Sequence, residues 1–122
     1  ILAKGHVPAG LPREFDLLFP PYAGPFLQKL LSFDPAAVLA QIPTACMLLQ
    51  GGADRQVVPM GDVQPLIDAL RTRGAPGEAI VLPQVSHNLK LVATPGDPGL
   101  AGPLAPAAAD ALVKWLVPAL GA

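Results

Sequence analysis

The chain contains 122 residues, of which 52% are hydrophobic and 14% are charged, and its formal net charge at pH 7 is −1. Its lysines and arginines form no basic run, so the sequence offers no positive patch for phosphates and argues against nucleic-acid binding. No segment approaches the ~18 consecutive apolar residues that a membrane-spanning helix requires, and no membrane span is expected.

The low charge content is unusual for a small domain. Soluble domains carry about 25% charged residues, and small ones need polar side chains because so much of their surface faces water. The composition therefore predicts that part of the apolar surface is buried against a further segment of protein. Together with a first residue, Ile1, that is not methionine, it favours a fragment or a processed piece of a larger protein.

The first third of the chain predicts loops and short helices. Prolines interrupt residues 1–24 and favour irregular structure there. The segment PFLQKLLSF that follows places apolar residues at helical spacing and predicts a helix over 25–33. An Asp-Pro pair next to it is typical of a helix start, so a second short helix over 35–39 is expected.

The remainder of the chain predicts alternating strands and helices. The apolar run TACMLLQ predicts a strand over 44–50 that is buried on both faces, as in a parallel sheet. An amphipathic segment predicts a helix over 63–73, and a shorter apolar run predicts a strand over 78–82. A breaker-rich loop over 92–103 separates this strand from a last helix over 106–117. This order predicts an α/β fold with parallel strands and crossover helices.

Two polar residues follow the two predicted strands. Asp54 comes shortly after the glycine pair that ends the first strand, and His87 follows the second. In an open α/β sheet, functional groups gather beyond the carboxyl ends of the strands, so the two loops are expected to meet. A carboxylate that accepts a hydrogen bond from one imidazole nitrogen leaves the other free to take a proton. The sequence thus predicts an acid–base pair, with the Asp54 carboxylate about 2.6–3.2 Å from Nδ1 of His87.

Each of these residues also has a simpler interpretation. An aspartate after two glycines is often a turn residue that binds its own backbone, and a lone histidine after a strand is more often structural or solvent-facing. Asp62 is a second candidate for the acid, but its position just before a predicted helix favours a role as the N-cap. The proximity of Asp54 and His87 in the predicted topology favours the catalytic interpretation.

At these residues the sequence resembles the α/β-hydrolases. The segments LLQGGADRQVV, around Asp54, and VLPQVSHNLK, around His87, are similar to the acid and histidine motifs of that family. They are closest to its serine aminopeptidase-like and esterase-like branch, whose acid motif often reads G-x-x-D-x-Q-V. The segment FDPAAVLAQIPTACMLLQG resembles the return from the cap region into the sheet, and PLAPAAADALVKWL resembles the final helix.

The resemblance implies a parallel-sheet α/β-hydrolase fold of which this chain is the C-terminal portion. Residues 1–33 would be a cap-region remnant and loop, and residues 34–122 the last strands and helices of the core. The implied function is a serine hydrolase that cleaves a small-molecule carboxylic ester or related acyl bond, without a cofactor; a peptidase or a thioesterase would use the same two residues. The family order is serine, acid, histidine, with the serine in a G-x-S-x-G elbow. Ser32 and Ser86 stand in no such motif, so the serine and the N-terminal half of the fold are expected outside this chain.

An alternative from another class is a non-catalytic α/β partner or interaction module, which the missing serine keeps open. A metal site is not expected, because two histidines far apart in the chain and one cysteine form no ligand cluster. Gly51-Gly52 precedes no phosphate-binding pattern. His6 is expected to be structural, and Cys46 and Trp115 are expected in the core.

Overall fold

The computed structural model describes residues 4–15 and 17–121. The chain forms two compact units, Ile1–Pro35 and Ala36–Ala122, which are described separately. None of the described helices combines the length and the apolar character needed to cross a membrane.

The first unit is a proline-rich segment that ends in a helix. Two 3-10 turns, Arg13–Phe15 and Pro21–Ala23, lie where the prolines predicted irregular structure. Helix α1 (Gly24–Ser32) follows and has a proline in its first turn, where the missing N–H is tolerated because it has no helical acceptor. Gly24 allows a close backbone contact within this unit, since a Cβ there would lie 2.1 Å from the carbonyl oxygen of Gly5.

Strands and helices alternate in the second unit. A short helix, α2 (Pro35–Leu39), leads into it. The elements that follow are β1 (Cys46–Gly51), a single π-helical turn (Pro59–Val63), α3 (Gln64–Thr72), β2 (Gly77–Leu82) and α4 (Pro106–Ala119). This is the order that the apolar periodicity predicted.

The two strands form a parallel sheet. Cys46 lies opposite Gly77, and Gly51 lies opposite Leu82, so the strands are paired along their whole length. The predicted α/β class with parallel strands is confirmed, and α3 lies in the crossover between them. Because the strands run in the same direction, their carboxyl ends lie side by side at one edge of the sheet.

The prediction that β1 is buried on both faces is wrong. Its first four residues are half-buried, and only Gln50 and Gly51 are buried. Val81 of β2 is exposed. Within the described residues β1 pairs with one strand, β2. Its side chains therefore lack the neighbours on the same face that a strand on the other edge would provide.

The apolar core lies between the helices and the strand ends. The π-helical turn and α3 bury Val63, Ile67 and Leu70, at the helical spacing that the sequence predicted. A second cluster joins the loop after β2 to the start of α4 and consists of Val85, Ala105 and Ala108. This cluster anchors the loop that carries His87.

Helix α4 is buried mainly at its N-terminal end. Ala108 is fully buried, whereas Trp115 is half-buried and Leu116 is exposed. The core position expected of Trp115 is therefore not observed, and Cys46 is likewise half-buried. The exposed large apolar side chains of this helix and its end are Val113, Leu116, Val117 and Leu120.

The prediction that Asp62 is the N-cap of α3 is wrong, since Val63 occupies that position. Asp62 lies inside the π-helical turn, where its Oδ2 accepts a hydrogen bond from the N–H of Val58 (2.8 Å). Pro59 opens this turn, because its fixed φ suits the first position of a helix. The helical segment thus begins earlier than the sequence predicted, and Asp62 stabilises its first turn.

Candidate active site

The loops after β1 and β2 run side by side because backbone pairing continues past the strands. We call residues 52–58 the acid loop and residues 83–91 the histidine loop. The N–H of Gly52 donates to the carbonyl oxygen of Leu82 at 2.7 Å. This bond extends the parallel ladder by one step and keeps the two loops together where they leave the sheet.

Gly51 permits a still closer approach of the two loops. A Cβ at this position would lie 2.4 Å from the carbonyl oxygens of both Val85 and Ser86. No side chain fits so near backbone atoms, and the neighbouring Ala53 N–H donates to the same Val85 oxygen at 2.9 Å. The first glycine of the G-x-x-D-x-Q-V pattern is therefore needed because a side chain at this position would collide with the histidine loop.

Asp54 and His87 are in contact where the acid loop and the histidine loop approach each other. Oδ2 of Asp54 lies 2.9 Å from Nδ1 of His87, within the predicted range. The Asp54 side chain is 3% exposed, whereas that of His87 is 43% exposed. An ionised carboxylate can only accept, so Nδ1 carries the proton of the neutral ring. The catalytic role of both residues stays a prediction.

The second oxygen of Asp54 binds the backbone of its own loop. Oδ1 accepts hydrogen bonds from the N–H groups of Gln56 (2.8 Å) and Val57 (3.0 Å). This is the turn arrangement that the simpler interpretation of Asp54 predicted. The two interpretations are compatible because Oδ1 binds the backbone of the turn, whereas Oδ2 contacts His87.

Gln50 is a site residue that the sequence reasoning missed. It is buried at the end of β1, and its Nε2 donates to Oδ2 of Asp54 at 3.0 Å. The available signal was a polar residue that ends an apolar strand four positions before the aspartate. Such a residue is buried together with the strand and needs a partner at the same edge of the sheet.

These contacts set the charge state of Asp54. Burial by itself would raise the pKa of the carboxyl group. The hydrogen bonds from Val57 N–H, the His87 ring, Gln56 N–H and the Gln50 amide outweigh burial and lower the pKa of Asp54 to about 2. Asp54 is therefore a carboxylate throughout the neutral range, as an acceptor for Nδ1–H must be.

Ser86 is part of the histidine loop and stabilises it through hydrogen bonds. Its side-chain hydroxyl is buried and donates to the carbonyl oxygen of Gly99 at 2.7 Å. Its N–H donates to Lys90 O at 2.9 Å, and its own carbonyl oxygen accepts from Leu89 N–H at 3.0 Å. His87 thus projects from a tight turn that is held on both sides.

The proline- and glycine-rich loop over 92–103 is stabilised by Asp97. Its Oδ2 accepts from Ala93 N–H (3.0 Å) and its Oδ1 from Gly99 N–H (2.8 Å). These backbone donors lower the pKa of Asp97. The guanidinium of Arg55 donates to the carbonyl oxygen of Pro95 and so connects the acid loop to this segment.

The chemistry that the pair can perform follows from its free nitrogen. Among the described residues, Nε2 of His87 has no hydrogen-bond partner, and the ring is open to solvent. With Nδ1–H on the carboxylate, Nε2 can accept a proton from a hydroxyl group or water. Within the part of the chain that the structure describes, no three potential ligands group into a metal site.

None of the described hydrogen bonds or ion pairs joins Asp62, Cys46 or His6 to Asp54 or His87. Cys46 lies at the opposite, amino end of β1 and approaches the Thr44 carbonyl and the Arg73 guanidinium. His6 is exposed in the first unit.

Comparisons with protein-family models, with curated proteins and with solved structures found no match to this chain.

Proposed function

We propose that this chain supplies the acid and the base of a Ser–His–Asp triad in a serine hydrolase. The substrate is a small-molecule carboxylic ester or a related acyl compound, Asp54 is the acid, and His87 is the base. The chain is then the C-terminal portion of an α/β-hydrolase fold, with residues 1–33 from its cap region and residues 34–122 from its core.

One observation carries the proposal: the 2.9 Å contact between buried Asp54 Oδ2 and Nδ1 of a half-exposed His87. It lies at the carboxyl ends of two parallel strands, the edge at which open α/β sheets bind ligands. The pattern G-x-x-D-x-Q-V also has a physical counterpart here. Gly51 allows the loops to approach, and the N–H groups of Gln56 and Val57 hold the carboxylate.

In the proposed reaction, Nε2 of His87 takes the proton of the serine hydroxyl as the serine oxygen attacks the acyl carbon. The proton then passes from the imidazolium to the leaving alkoxide as the ester C–O bond breaks, which leaves an acyl-enzyme. Water attacks the acyl-enzyme with His87 again as base, the acid is released, and the serine regains its proton. Asp54 remains ionised and stabilises the imidazolium.

The nucleophile in this proposal comes from a segment outside residues 1–122. The hydroxyl of Ser86 is buried and bonded to Gly99 O. Ser32 donates to Gln28 O within α1. Neither serine stands in a G-x-S-x-G elbow. The donors that stabilise the oxyanion are expected beside that elbow, from the residue after the nucleophile and from an earlier loop.

The test uses the protein encoded by the full reading frame that contains this chain. We expect an upstream G-x-S-x-G after a strand, labelling of its serine by a fluorophosphonate, and hydrolysis of p-nitrophenyl esters. His87→Ala should abolish the hydrolysis, and His6→Ala should leave it unchanged. A His87→Ala protein that keeps the wild-type rate contradicts the proposal.

A non-catalytic interaction module is the second candidate. Within the described residues, one edge of β1 has no strand partner and α4 exposes apolar side chains, which favours this candidate because such surfaces promote association. On the hydrolase proposal, residues 1–122 alone hydrolyse no ester above background and associate or precipitate until the N-terminal half is added. A monodisperse, cooperatively folding monomer of these residues would favour the module instead.

A further inference from the structure

Gln50 is a buried amide whose partners surround one loop. It is 8% exposed at the carboxyl end of β1. Its Nε2 lies within hydrogen-bond distance of three acceptors: Oδ2 of Asp54 (3.0 Å), the carbonyl oxygen of Gly51 (3.0 Å) and that of Val57 (3.2 Å). A primary amide has two N–H groups, so the three acceptors share them.

The three acceptors lie before the acid loop, near its end and on its aspartate. Gly51 O belongs to the last residue of β1, directly before the loop, and Val57 O lies close to the end of the loop. The third acceptor is the carboxylate oxygen that also contacts His87. The amide of Gln50 therefore connects the start of the loop, its end and the carboxylate.

We propose that Gln50 is a positioning residue, which holds Oδ2 of Asp54 in the orientation that accepts Nδ1–H of His87. Its effect on catalysis rests on the proposed function, whereas its effect on the tautomer of His87 does not. With Gln50, the carboxylate has four donors for its four lone-pair sites: two backbone N–H groups on Oδ1, and Gln50 and His87 on Oδ2.

The reason that a further donor is needed is the exposure of His87. Its ring is 43% exposed, so packing alone does not immobilise it. A carboxylate that Gln50 holds independently of the ring is already oriented when the ring moves or changes its protonation state. Groups fixed in advance in this way stabilise developing charge without reorganising.

The chain provides a matched control for this contact. Nε2 of Gln64 donates to Oδ1 of Asp68 at 2.9 Å, and the aspartate again lies four positions after the glutamine. That pair lies on the exposed surface of α3. The same substitution at the two glutamines therefore removes the same chemical contact inside and outside the site.

The experiment compares Gln50→Met with Gln64→Met in the full-length protein, by ester-hydrolysis kinetics and by ¹⁵N NMR of the histidine rings. A hydrogen bond to a charged group contributes enough to change a rate about 10–100-fold. We expect Gln50→Met to lower kcat by about that factor with KM within about twofold, since Gln50 is too buried to touch substrate. The Nδ1–H tautomer of His87 should lose population, and Gln64→Met should change neither measurement.

Gln50→Glu is the second variant and covers the case in which Gln50→Met does not fold. At neutral pH the introduced carboxylate repels Asp54, whereas the protonated form at lower pH can donate to Oδ2. We expect the activity relative to wild type at the same pH to recover as the pH falls from 8 to about 5. Gln64→Glu should show no such recovery.

Each outcome decides one proposal. Variants of Gln50 that only unfold more easily, with kcat and the His87 tautomer unchanged in the folded protein, overturn the positioning role and make Gln50 a structural residue. A wild-type rate in His87→Ala overturns the proposed function instead. The tautomer measurement then still decides whether Gln50 positions the pair.

Discussion

Two triplets of described residues each place a glutamine amide and a basic side chain against an aspartate, in different surroundings. In the buried triplet, the Gln50 amide and the His87 ring both contact the Asp54 carboxylate. In the exposed triplet on α3, which consists of Gln64, Asp68 and Arg71, the Gln64 amide donates to Asp68 at 2.9 Å and Arg71 approaches Asp68 at 3.9 Å.

The surroundings of the two aspartates differ greatly. The Asp54 side chain is 3% exposed, and the Asp68 side chain is 60% exposed. Water competes for the hydrogen bonds of an exposed carboxylate, and exposed ion pairs contribute about 0–1 kcal/mol. Backbone N–H groups from the acid loop replace that water at Asp54. The two aspartates therefore differ in exposure and in backbone donors because of loop geometry and burial, although both have a glutamine four positions before them.

The largest expected difference between the triplets is in catalysis. In the full-length protein, Asp54→Asn should lower kcat roughly 10⁴-fold, because an amide at this position favours the wrong imidazole tautomer. Asp68→Asn and Asp62→Asn should leave ester hydrolysis within about twofold of wild type. Equal losses in Asp54→Asn and Asp62→Asn would mean that the wrong acid has been assigned.

The buried triplet should also depend on the close contact of two loops, unlike the exposed one. Gly51→Ala places a Cβ 2.4 Å from two carbonyl oxygens, and overpacking of this kind costs about 1–3 kcal/mol. Gly74→Ala is the control, since its Cβ would meet nothing within 4 Å. Urea unfolding of the full-length protein measures both. A Gly51→Ala midpoint equal to that of Gly74→Ala would contradict the predicted clash.

Acid sensitivity provides the next contrast. The folded pKa of Asp54 is about 2 against an ordinary value of 3.8. Because the folded value is lowered, this group stabilises the protein above pH ~4, and the contribution disappears as the pH falls through 3.8 towards 2. We expect about 1–2 kcal/mol, reduced by the water that reaches the pair beside His87.

Urea unfolding between pH 5 and pH 2.5 measures this contribution. Asp54→Asn should flatten the loss of stability in that window, although it starts from a less stable protein. Asp68→Asn is the comparison variant and should keep the wild-type slope. An unchanged slope in Asp54→Asn would show that other groups cause the acid sensitivity.

The smallest effects are expected in the exposed triplet itself. Gln64→Ala and Arg71→Ala should each change the free energy of unfolding by less than about 0.5 kcal/mol, the usual range for surface pairs on a helix. The change caused by Arg71→Ala should disappear at 1 M salt, where the Debye length is only about 3 Å. A loss above 2 kcal/mol in either variant would contradict the distinction between the triplets.

Much of the local structure could be predicted from the sequence because the relevant signals are local. The apolar spacing of Val63, Ile67 and Leu70 predicted a helix, and these residues are buried. The start of that helical segment could not be predicted equally well. Asp62 is a good N-cap by residue type, but Pro59 opens a π-helical turn before it.

Residue patterns predicted the alternation of strands and helices, and an aspartate and a histidine after successive parallel strands. Apolar periodicity and turn residues act over a few positions, so they can be recognised without the fold. The packing of the two loops places both His87 and Gln50 against Oδ2 of Asp54, while Oδ1 binds the backbone of its own loop. The partners of a carboxylate depend on which backbone and side-chain donors the packed loops bring within about 3 Å, and no local pattern specifies that distance.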